Sequence, residues 1–121
     1  MSTTHPLPPD EAARCPLALP SPDSPPSVGI LSRTLLNAPD LRVVAMHFAA
    51  NEELTPHTSR HRVLVQVVQG ACAFQVNDTW LRLETGELLH LPPDHPHAVR
   101  AEHGAFTLLL TFSLQPTSSH S

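Results

Sequence analysis

From Val28 onward the chain alternates short apolar runs with clusters of turn-forming residues. The runs are VGILSRTLL, LRVVAMHF, RVLVQVVQ, ACAFQV, TWLRL, ELLHL, HAVRA and AFTLLLTF, rich in Val, Leu, Thr and Phe and each of strand length. Between them lie NAPD, AANEELTP, Gly70, ND, ETG, PPDHP and EHG, which read as connections. No window holds apolar positions at helical spacing over the ten or so residues that a helix needs. The pattern predicts a small all-β barrel or sandwich over residues 28–115, its edges protected by closure or pairing. RVLVQVVQ and AFTLLLTF carry aliphatic residues on both faces, and such strands want cover on both sides. A small barrel fills only its inside, so a homodimer is expected, with the outer apolar face against a second subunit.

Composition divides the chain further. Residues 1–27 hold eight of the fourteen prolines and show neither strand nor helical periodicity, the signature of a disordered, polyproline-like arm. Residues 116–121 read as a polar tail. The 121 residues suit one domain. Net charge is −4 and the seven basic side chains are all Arg, scattered without a run. No nucleic-acid partner is expected from that distribution. The start of the chain lacks the charged and apolar regions of a secretory signal, and FTLLLTF is far too short to span a bilayer. No membrane partner is expected, and the location is read as cytoplasmic. Cys15 and Cys72 have no CxxC spacing and read as a surface thiol and a core thiol.

The chemistry concentrates in two stretches, PHTSRHR with His57 and His61, and GELLHLPPDHPHAV with His90, His95 and His97. In a straight strand His57, Ser59, His61 and Val63 share one face. His61 is then either a third nitrogen beside the other two or, where a bulge intrudes, a ring facing water. His90 reads as a core or interface histidine, and His95, set between prolines, as exposed at the barrel mouth. His47 and His103 read as structural or solvated. The chain has no Ser-His-Asp order, no glycine-rich phosphate loop and no paired carboxylates in one motif, so hydrolase and nucleotide-binding readings lack residues to carry them.

The spacing of these stretches resembles the two motifs of the cupin superfamily. The first, G-x5-H-x-H followed after three or four residues by E-x6-G, is met by Asn51, His57, Ser59, Val63 and Gly70; the second, G-x5-P-x-G-x2-H-x3-N, by Gly86, Pro92, Asp94, His97 and Ala101. Asn51 stands for a glycine, a position that Asn tolerates because it visits left-handed backbone. Ser59 and Val63 stand where the pattern has a metal-binding His and Glu. The resemblance is strongest to small single-domain cupins. It implies an antiparallel double-stranded β-helix, or jelly-roll barrel, often dimeric, with a site inside it, and it places His57 and His97 at metal-ligand positions. It does not imply a reaction.

Two functional readings follow. In the first, a small organic ligand binds in the barrel around a partly degenerate site, with His57, Ser59 and His97 hydrogen-bonding it and Phe74 and Val99 in the apolar lining. In the second, the chain is a three-histidine dioxygenase or related small-molecule oxidoreductase, with His57, His61 and His97 holding one divalent transition metal, Zn, Fe, Ni or Cu. Val63 in the carboxylate position disfavours a site of two histidines and one carboxylate.

Overall fold

The computed structural model describes residues 28–102 and 104–114, with the side chains of Pro56 and His57 outside that description. The proline-rich arm and the tail expected at the two ends lie outside the described residues. Among the described residues nine strands run in the order β1 (Ile30–Asn37), β2 (Leu41–Phe48), β3 (Glu53–His57), β4 (Arg62–Gln69), β5 (Ala71–Val76), β6 (Thr79–Glu84), β7 (Leu88–Leu91), β8 (His97–Ala101) and β9 (Phe106–Ser113). They form a five-stranded sheet, β1-β2-β9-β4-β7, and a four-stranded sheet, β3-β8-β5-β6. Every pairing is antiparallel. Among the described residues no helix is long and apolar enough to cross a membrane.

Period-2 alternation decides which side chains enter the space between the sheets. In β4, Val63, Val65 and Val67 are buried while Arg62 and Leu64 are exposed. Register places Val63 beside Phe112 and Val65 beside Leu110 of β9, and Phe48 beside Phe106. The rings of Phe48 and Phe106 stack with centroids 4.4 Å apart and planes 10° from parallel. From the other sheet, Cys72, Phe74, Leu83 and Val99 join the same core.

Two departures from the sequence reading bear on the site. AANEELTP, read as a connection, contains the edge strand β3, which pairs Glu53 with Arg100 and Leu54 with Val99. Pro56 has no N–H to give a ladder, and the register breaks between Leu54 and His57, as an edge strand allows. The extended run assumed from His57 to Val63 is also broken: β3 ends at His57, β4 begins at Arg62, and residues 58–61 form a loop. Face parity therefore does not carry from His57 to His61.

Candidate functional site

Two loops meet at one end of the barrel. Residues 58–61 join β3 to β4 and residues 92–96 join β7 to β8, and the Asp94 N–H ties them by donating to the Ser59 carbonyl at 2.8 Å. Asp94 can do this because its backbone is left-handed, φ +66°, and Asn51 takes φ +70°. Both stand at motif glycine positions. Their short polar side chains are among the few that accept that backbone.

Pro96 fixes the chain entering β8, so His97 begins that strand in a set direction. Its backbone lies opposite that of His57 in the β3–β8 register; the His57 side chain is outside the described residues. The His97 Nδ1–H donates to the His95 carbonyl at 3.1 Å, which in the neutral ring puts the lone pair on Nε2. The ring is buried and lies nearly parallel to Phe74, centroids 6.1 Å apart and planes 16° off. His95 makes a similar local bond, Nδ1–H to the Pro93 carbonyl at 3.0 Å.

Between the sheets lies a cavity of about 190 Å³. Ser59, Phe74, His97 and Val99 line it with Val63, but His61 does not. Of the thirteen described residues that line it eleven are apolar, and the two polar ones are Ser59 and His97. The Ser59 hydroxyl accepts the His61 N–H at 3.1 Å. The lining also draws on Met46 and Phe48 of β2 and on Leu108, Leu110 and Phe112 of β9. Sequence reasoning missed these, because strands that are apolar on both faces do not declare which face turns inward.

The described donors do not fit a metal. The carboxylate position holds Val63, an aliphatic side chain in the core, and the neighbouring position offers a serine hydroxyl, a poor ligand for the transition metals that imidazole suits. Among the described residues no three His, Cys, Asp or Glu side chains gather closely enough to hold an ion. Three other groups stand apart from the cavity. His90 is exposed on the outer face, its Nε2 accepting from Arg62 Nη1 at 2.6 Å. His47 is buried and shares a 2.9 Å hydrogen bond with Thr107 Oγ1. Burial, with help from Glu102, pushes the Cys72 thiol up to about 12, so it is not a nucleophile near neutral pH.

Two antiparallel sheets closed on an apolar cavity, with both motif loops tied at its mouth, define a cupin-fold ligand-binding domain. The chain belongs to the family of AraC-like ligand binding domains, whose profile matches residues 38–116. Several solved structures share the fold. A conserved protein of unknown function from Streptococcus pyogenes is 24% identical, with a TM-score of 0.71 over 78% of this chain and 82% of that one. A cupin 2 conserved barrel domain protein from Leptotrichia buccalis is 34% identical, with a TM-score of 0.67 over 70% of this chain and only 41% of its own. An RmlC-like cupin from Shewanella frigidimarina is 25% identical, with a TM-score of 0.68 over 74% of this chain and 79% of that one. No functionally curated protein matches the chain.

Proposed function

We propose that the chain binds a small, largely apolar organic molecule inside the barrel, with His97 and Ser59 orienting its one polar end. The supporting observation is the cavity's lining, which among the described residues is eleven apolar to two polar. At about 190 Å³ it falls below the roughly 300–1,000 Å³ of sites for drug-sized ligands. It slightly exceeds the about 150 Å³ that holds a benzene. The ligand class is therefore a compact ring or branched chain on the order of six to ten non-hydrogen atoms carrying a hydroxyl or carbonyl. A sugar is a poor fit. Each of its hydroxyls buried without a partner costs about 1–3 kcal/mol, and the described lining offers two polar side chains.

On this donor set the proposed site works by binding, without a metal step. Thermal unfolding of the full chain with phenol, benzyl alcohol, cyclohexanol, arabinose or glucose tests it. The first three are expected to raise Tm with the logarithm of ligand concentration once it exceeds Kd, with the effect reduced in His97→Ala and abolished when Val99→Trp fills the cavity. No rise with any of the first three, or a larger one with the sugars, would overturn the reading. A zinc, iron, nickel or copper content near one per chain after purification without nickel resin would restore the three-histidine dioxygenase alternative.

The proposal includes a homodimer. Leu31, Leu64 and Leu88 are exposed on the outer face of the five-stranded sheet, where register sets Leu31 beside His47, Leu64 between Thr111 and His90, and Leu88 beside Gln66. A second copy covering that face would remove these leucines from water.

A further inference from the structure

The outer face of the four-stranded sheet carries a second hollow. Register sets Trp80, Gln75 and Ala98 in one row across β6, β5 and β8. The next row holds Arg82, Ala73, Arg100 and Glu53 across β6, β5, β8 and β3. By strand alternation both rows point away from Phe74 and Val99, which line the barrel cavity. Ala98 has the smallest side chain in its row, and a hollow of about 110 Å³ lies there, lined among others by Trp80, Gln75, Arg100, Glu53 and Thr55.

The charges around this hollow are arranged unusually. Arg100 and Glu53 are direct cross-strand partners, a placement in which opposite charges ordinarily close on each other. They form no ion pair; both ion pairs among the described residues belong to Arg82, with Glu84 and Glu102. The Arg100 guanidinium of β8 instead reaches past β5 to β6 and lies over the Trp80 ring, 4.0 Å from its centre. A guanidinium held over an aromatic face keeps N–H groups that can form a fork to a carboxylate. The Glu53 carboxylate, on the far strand, supplies an acceptor for a cation.

We propose that this hollow binds a small zwitterion, an amino acid between glycine and γ-aminobutyrate in size, with its carboxylate on Arg100 and its ammonium on Glu53. Each charge of the ligand answers one wall. A lone anion meets repulsion from Glu53, and a lone cation meets repulsion from Arg100, so the bipolar molecule is selected over either half. The hollow does not depend on the barrel cavity being a ligand site.

Trp80 is the chain's single tryptophan, so its emission reports on this hollow. Glycine, β-alanine and γ-aminobutyrate are titrated into the full chain up to about 100 mM, against acetate and methylammonium at matched ionic strength. The amide shifts of Gln75 and Ala98 give a second readout. A saturable response is expected to at least one zwitterion, at least about tenfold tighter than to acetate or methylammonium. Glu53→Gln and Arg100→Gln should each weaken zwitterion binding about tenfold or more. Glu53→Gln should also improve acetate binding, and Arg100→Gln that of methylammonium, a crossover that mere loss of folding cannot produce. Ala98→Val should reduce binding without touching a charge. Silence in both readouts for all three zwitterions, or unchanged binding in both charge variants, would overturn the proposal.

Discussion

His47 shows what burial does to one titratable ring. It sits on β2 opposite Thr107 of β9, and burial, with Arg33 nearby, lowers its pKa from the usual 6.5. The folded state thus binds the His47 proton less readily than the unfolded chain does. Its contribution to stability is fully present above about pH 6.5 and is lost as pH falls below that value. Urea unfolding between about pH 8 and 5.5 should show stability falling on the acid side by up to about 1.4 kcal/mol per pH unit for this one proton. His47→Gln should flatten that limb, and an unchanged slope in the variant would contradict the assignment. Other residues were only partly legible in the sequence. Asn51 and Asp94 could be recognised at glycine positions because left-handed backbone admits few other side chains, and both take positive φ. The position of His61 was not legible, because parity counting assumes a continuous strand and the chain breaks into a loop at residues 58–61.

At the level of elements, all eight apolar runs became strands, each short, rich in aliphatic residues and set off by turn or loop residues. β3 was hidden because its Glu and Pro disfavour a strand, leaving Leu54 and Thr55 too short a run to signal one. It forms through pairing with β8, a contact between residues about forty apart in the chain. The β4–β5 turn was legible through Gly70. Its φ is +82°, and a Cβ there would stand 2.7 Å from the Ala105 carbonyl oxygen and 2.9 Å from the Phe106 Cβ. Gly70→Ala must therefore strain the turn or displace the start of β9 beside the stacked Phe48 and Phe106 rings. A loss of about 2 kcal/mol or more is expected in urea unfolding. At Gly86, also at positive φ but with nothing near an added Cβ, alanine should cost about 1 kcal/mol, the backbone effect alone. Equal losses at the two sites would show that the close approach at Gly70 does not matter.

At the largest scale, the two sheets of the described residues enclose an apolar cavity and leave two outer faces with different chemistry. The five-stranded sheet exposes Leu31, Leu64 and Leu88, the last at 60% of its surface, while the four-stranded sheet carries Trp80, Arg100, Glu53 and Gln75. Light scattering of the full chain at tens of micromolar should give twice the 13.2 kDa chain mass. Leu31→Glu with Leu88→Glu should return it to the monomer with the β-type circular dichroism retained. A monomer in the wild type would remove the dimer from the account. The all-β, antiparallel arrangement was legible, because short apolar runs separated by turn residues leave no segment for a helix. Which residues meet in the cavity was not, because that depends on how two sheets stack.

The central claim is that the space between the sheets is a ligand site for a compact, mostly apolar molecule. Methyl-resolved NMR during a titration with benzyl alcohol tests it most directly, because it locates binding while the fold stays intact. The account predicts saturable shifts at the methyls of Val63, Val65, Val99 and Leu108, which line the cavity, with Leu31 and Leu88 on the outer face unmoved. Shifts confined to the outer-face leucines, or no saturable shift at the cavity methyls, would contradict it.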